Sequence, residues 1–169
     1  MRRFLWAAVL LPVLLAGPAS AQTSATIVAG QQIGGVRLGA SVADAAAVLG
    51  NLYDSADADS GKYTFHLWPL RSFLVITEKE SGRIVLVVVN LSDAYRTDKG
   101  NITGGSERSA VEAAYGREYT TEDDASTTTV IFDAQGIAFD IGKRGALSGR
   151  VTQIIVFTPG QWKTITAGL

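Results

Sequence analysis

Shifted against itself by 66 positions, the chain lands glycine on glycine twice, Gly39 on Gly105 and Gly50 on Gly116, with Leu49 falling on Tyr115 and Ala45 on Val111. Downstream, Phe73 falls on Phe139 and Val75 on Ile141, and one step of slippage aligns Gly82-Arg83-Ile84 with Gly149-Arg150-Val151. Similarity at one offset, running through helix, strand and turn positions alike, marks two copies of a supersecondary unit. The copies are assigned to residues 33–94 and 95–169, the second including a C-terminal tail, and both belong to one domain.

Each copy opens on a helix. In the first, Ser41 is the N-cap and Asp44, three residues on, completes a capping box in which Asp replaces the commoner Glu. Val42, Ala45, Ala46 and Leu49 form one apolar stripe, and Gly50 stops the helix. In the second copy Ser106 or Glu107 starts the helix, Val111, Ala114 and Tyr115 make the stripe, and Gly116 ends it. Three β-branched and aromatic runs follow each helix: 63–68, 72–77 and 83–90, then 127–133, 136–142 and 150–157. Their short connections suit hairpins. The predicted class is therefore α+β, with two tandem helix-plus-three-strand repeats sharing a continuous antiparallel sheet and the short helices packed on one face.

Ahead of the first copy stands MRRFLWAAVLLPVLLAGPASA. Arg2 and Arg3 precede an apolar run from Phe4 to Ala16, which is too short to span a bilayer comfortably, and an A-x-A site ends at Ala21. This reads as a secretory signal peptide cut after Ala21, followed by a leader over 22–32. The expected location is periplasmic or secreted, with no stable membrane anchor after cleavage. The chain has no Cys, which rules out a disulfide scaffold, a thiol nucleophile and a lipidated Cys at the cleavage site. Its 15 basic residues, two of them Arg2 and Arg3, face 16 acidic ones, so the exported part carries a net charge of about −3. No basic patch stands out, and nucleic acid is not an expected partner.

The pattern Gly-x-Ser/Thr-x-x-x-apolar, closing on apolar-Gly eleven residues after the first Gly, resembles the helix signature of the small outer-membrane assembly lipoproteins of the SmpA/OmlA (BamE-like) type. It rests on Gly39, Ser41, Ala45, Leu49 and Gly50, then Gly105, Val111, Tyr115 and Gly116. In tandem, each copy followed by a strand meander, it looks like the β-lactamase-inhibitor-protein fold, over roughly residues 33–158. The resemblance implies the helix-plus-meander architecture. The chain departs from both families, lacking the disulfide of each inhibitor unit and the lipidated Cys of the assembly proteins.

His66 is the single histidine, so any Ser-His-Asp triad is built around it and a His-rich metal site is excluded. Alternation along its strand sets Tyr63, Phe65 and Leu67 against Thr64, His66 and Trp68, which makes His66 half-exposed. Asp54, Asp57 and Asp59, ending at Gly61, fail the EF-hand pattern because Lys62 takes its obligatory glycine position. With Glu122, Asp123 and Asp124 in the second copy, they read as a solvated helix-to-strand connection, and neither a metal nor a cofactor is expected. Gly34-Gly35 and Gly104-Gly105 match no phosphate loop.

The strand 72–77 is apolar on both faces, with Phe73 and Val75 against Leu74 and Ile76, and so is 83–90. Something must cover the second face. One account is the N-terminal segment ATIVAGQQI or dense packing at the sheet centre. The other is a partner docked on His66, Trp68, Leu74 and Ile76, with Trp162 joining the patch or tying down the tail. The expected function is an exported, non-enzymatic protein-interaction module of unknown protein partner, envelope-associated or inhibitor-like. The alternatives are a small-ligand carrier or hydrolase with a site around His66, and a structural envelope protein with no defined site.

Overall fold

A computed structural model describes residues 25–169, so the signal-peptide reading lies outside the described residues. In chain order the elements are β1 (Thr26–Val28), β2 (Gln32–Ile33), β3 (Val36–Arg37), α1 (Val42–Leu49), β4 (Asp54–Asp57), β5 (Tyr63–Trp68), β6 (Phe73–Glu78), β7 (Ile84–Asn90) and β8 (Arg96–Thr97). Then come α2 (Arg108–Tyr115), β9 (Thr120–Asp123), β10 (Thr127–Phe132), β11 (Ile137–Gly142), β12 (Val151–Phe157) and α3 (Trp162–Thr166). The fold is α+β and mostly strand, with two sheets and three α-helices among the described residues.

The capping box forms as the sequence predicts. Ser41 N–H donates to Asp44 Oδ2 at 2.9 Å and Asp44 N–H donates to Ser41 Oγ at 3.3 Å, which sets the start of α1. The Ser41 N–H and the Ser41 hydroxyl, both donating to Asp44 Oδ2, hold the Asp44 carboxyl below the usual carboxylate range. In α2 the N-cap is Glu107, whose side chain makes no cap bond. Gly50 and Gly116 end the two helices at φ 97° and 93°, a region costly for residues with a Cβ.

The large sheet runs β4-β5-β6-β7-β12-β11-β10-β9, all antiparallel, with β7 and β12 paired at its centre. Each half therefore supplies four strands, one more than expected. The extra strands, β4 and β9, are the sheet's edges and occupy the acidic stretches predicted to be loops. They carry no apolar alternation, because every residue in both is exposed and register comes from pairing with β5 and β10 alone.

Elements recur in the same order in the two halves, but not at one offset. The helices and edge strands lie 66 positions apart, β5/β10 and β6/β11 lie 64 apart, and β7/β12 lie 67 apart. The link 58–62 is two residues longer than 124–126, and 143–150 is three longer than 79–83. Structurally, then, Phe73 corresponds to Ile137 and Val75 to Phe139, two residues short of the sequence alignment. Side-chain bonds recur as well. Arg83 donates to the Gly39 carbonyl at 2.7 Å, and Arg150 to the Gly105 carbonyl at 2.9 Å. Lys79 pairs with Asp57 and Lys143 with Asp123, each at 2.6 Å.

Two cores lie on opposite faces of this sheet. On the first, Ala45, Ala46 and Leu49 of α1 and Val111 and Tyr115 of α2 pack over Phe73, Val87, Phe132, Phe139 and Val156. The small sheet, ordered β3-β2-β1-β8, adds Ile27, Ile33 and Val36 to the same core. The N-terminal segment, one of the expected covers for the second face, is therefore on the helix face. The second face is covered from the C-terminal end instead. Trp162 and Ile165 of α3 join Tyr63, Ile76, Leu86, Ile131 and Phe157 in a separate buried cluster. So α1 and α2 share a face and α3 takes the other, because a sheet apolar on both sides must be buried on both.

Candidate functional site

Antiparallel pairing places directly opposite residues on one face. His66 stands opposite Val75 and Trp68 opposite Phe73, so both aromatic rings belong to the helix face. Leu74 and Ile76 point the other way. The four residues expected to form one docking patch are thus split by the sheet, and exposure separates them further. His66 is 7% exposed, Trp68 and Ile76 are buried, and Leu74 is half-buried.

The surroundings of His66 explain its burial. Its Nδ1 lies 2.8 Å from Ser55 Oγ on β4 and its Nε2 lies 3.0 Å from Thr77 Oγ1 on β6. Tyr53 meets the ring edge-on at 5.9 Å and stacks on Trp68 at 4.5 Å. Trp68 Nε1–H donates to the Gly50 carbonyl at 2.7 Å, tying β5 to the end of α1. Burial pushes the His66 pKa down, which makes the imidazole a weak base. Its two hydrogen-bonding side chains are hydroxyls, neither of them the carboxylate that would orient and support a catalytic imidazole. This arrangement latches the edge strand β4 to β5 and β6. In the second half the positions of His66 and Thr77 are held by Val130 and Ile141, both buried.

The acidic stretches are engaged structurally. Asp57 accepts from Lys79 and Thr64, and Asp123 accepts from Lys143 and Thr128; both carboxyls are held below the usual range chiefly by their lysines. Asp124 accepts two backbone and two hydroxyl bonds from Ser126 and Thr127, closing the β9–β10 turn. Trp162 ties down the tail: its N–H donates to Asp133 Oδ1 at 3.1 Å and its Nε1–H to Glu122 Oε1 at 2.9 Å.

One apolar surface does stand open, and the sequence did not single it out. Leu52, between α1 and β4, is 76% exposed, and Leu70, in the 3₁₀ turn between β5 and β6, is 82% exposed. With Asn51, Tyr53, Asp54 and Pro69 they line a cavity of about 240 Å³. Leu67, at the end of β5, is 41% exposed, and Leu91, just after β7, is exposed too. The matching place in the second half is a cavity of about 280 Å³ lined by Glu118, Tyr119, Thr120, Ile131, Asp133 and Ala134. There Glu118 replaces Leu52 and Ala134 replaces Leu70. A larger cleft of about 570 Å³, beside Lys62, Tyr63 and Lys79, does not reach His66.

The architecture is that of an α+β protein with an eight-stranded antiparallel sheet covered on both faces. Neither a protein-family model nor a curated protein matches the sequence. Among solved structures, the chain is similar to the uncharacterized protein YfeY from Escherichia coli, with a TM-score of 0.55 and 15% identity over 77% of this chain and 98% of that one. At that identity the likeness is one of fold.

Proposed function

We propose that the protein is an exported, non-enzymatic interaction module, built from two copies of a helix-plus-meander unit, that docks a protein partner on the leucine end of its first half. The observation that carries this reading is the pair Leu52 and Leu70, large apolar side chains held out in solvent where the second half has Glu118 and Ala134. The same local architecture forms without them, so folding does not require them, and adjacent exposed leucines around a cavity favour an interaction surface. Export to the periplasm or beyond is supported by the charged, apolar and small-residue order of residues 1–21. Within 25–169 no helix is long and apolar enough to cross a membrane.

The test uses residues 22–169 as bait in envelope extract beside a folded Leu52→Asp, Leu70→Asp variant. A partner identified by mass spectrometry, rebinding as a purified protein to the parent and not to the variant, is the expected result. Equal binding by both, or no specific partner for either, contradicts the proposal.

A further inference from the structure

The stretch from Asn51 to Asp54 supplies four of the six residues that line the leucine cavity, Leu52 among them. It leads into β4, which is exposed throughout and contributes little burial. Its anchors are Trp68, which holds the Gly50 carbonyl and stacks on Tyr53, and His66, which meets Tyr53 edge-on and bonds Ser55. In the second half the matching stretch is held by a charged clamp. Tyr119, the counterpart of Tyr53, donates to Glu112 and accepts from Arg108 of α2, each at 2.9 Å. The equivalent positions of α1 are Ala46 and Val42, which offer no such bonds. In turn, Ser55, His66 and Thr77 correspond to Thr121, Val130 and Ile141. One edge of the sheet is thus fastened through an imidazole and the other is not.

We infer that His66 is a proton-operated latch for the leucine surface: neutral, it fastens residues 51–57 to the sheet, and protonated it releases them, so that a partner held near neutral pH is let go in acid. This rests on the docking reading of the same end and adds its regulation. A neutral ring suits two hydroxyl partners, donating from one nitrogen and accepting at the other. A proton on the accepting nitrogen puts a full charge where burial excludes water, and that burial is what lowers the pKa. The charged groups near this face are already engaged. Asp57 on β4 and Lys79 just after β6 pair with each other at 2.6 Å, and Asp44, the only charged residue of α1, is bound to Ser41. The other titratable neighbour is the Tyr53 phenol. Trp68, Val75 and Thr77 close the remaining sides of the ring and are buried. Water therefore reaches the cation by outward movement of β4, the exposed edge strand, and Tyr53 and Leu52 move with it.

The test is amide hydrogen exchange followed by NMR on residues 22–169 from pH 8 to 5, each rate divided by the intrinsic rate at that pH. With β4 open, His66 regains its ordinary pKa near about 6.5. Protection of β4 relative to β9 should therefore be constant above that value and fall below it, by up to about tenfold per pH unit, until the native pKa is reached. The Leu52 and Leu70 methyl signals should shift over the same interval. A His66→Val, Thr77→Ile protein should show a constant ratio and unmoved methyls. Because β9 is an internal reference, the parent's profile is decisive even where that variant fails to fold. Three results overturn the proposal: a constant ratio in the parent, an equal fall in the folded variant, or opening of β4 with Leu52 and Leu70 unmoved. A constant ratio beside an envelope partner that still requires Leu52 and Leu70 leaves the docking reading standing and removes the latch. Opening of β4 with no partner requiring those leucines removes the docking reading, and the release with it.

Discussion

His66 is the chain's single histidine, and burial also raises the Asp140 carboxyl, which contributes to the pH dependence with the opposite sign, so the His66 share between pH 7 and 5 is read against a variant that lacks the imidazole. Burial between Ser55 and Thr77 holds its native pKa below the ordinary value. In the unfolded chain it takes a proton near about pH 6.5. On acidification the unfolded state therefore gains the proton first. The stability linked to neutral His66 is present above about pH 6.5 and is lost as pH falls through the lower native pKa. The carboxyls with lowered pKa, Asp44, Asp57, Glu112, Asp123 and Asp124, start from ordinary values of 3.8 for Asp and 4.5 for Glu and contribute further down. Urea midpoints measured from pH 8 to 5 should fall for the parent and stay flatter for a His66→Val, Thr77→Ile variant, which installs the apolar pair of the second half. Parallel profiles would show that His66 is not held neutral by its site.

Among the elements, the C-terminal turn bears most on the second core. Trp162→Ala should cost about 3–5 kcal/mol in chemical denaturation, the range for emptying a buried tryptophan site, and should leave Ile131 exposed. A loss under about 1 kcal/mol would mean that the turn lies loosely on the sheet. This element was hard to read from the sequence, since Trp162 and Ile165 are its only large apolar residues and they follow Pro159-Gly160. The edge strands were hidden for a related reason: DSAD and TTED form strands through their neighbours' backbones, and exposed charge there discourages further edge pairing. The six inner strands lie within a residue of their expected bounds, because their β-branched runs carry both local preference and core packing. Face assignment across strands was another matter. Alternation sorts residues within one strand, whereas grouping His66 and Trp68 with Leu74 and Ile76 needed the cross-strand register, which pairs them with Val75 and Phe73. Leu52 and Leu70 look like ordinary loop leucines until they are set against Glu118 and Ala134. That comparison was within reach for Leu52, 66 positions from Glu118, but not for Leu70, whose counterpart lies 64 away.

At the scale of the whole molecule, the two halves meet through β7 and β12 and differ in what they leave open. Acidic edge strands at both ends of the sheet disfavour edge-to-edge pairing between copies, since Asp54 and Asp57 or Glu122 and Asp123 would face like charge. The C-terminal turn covers the second face of the sheet through Trp162 and Ile165. What remains asymmetric is the leucine end, where the account places the partner. Equivalent positions in one chain supply their own control. A photo-crosslinking side chain placed at position 70 or at position 134 probes two matched sites in the same cell under the same expression. A discrete crosslinked partner from position 70 and none from position 134 is the predicted result; equal crosslinking from both, or none from position 70, would contradict the account.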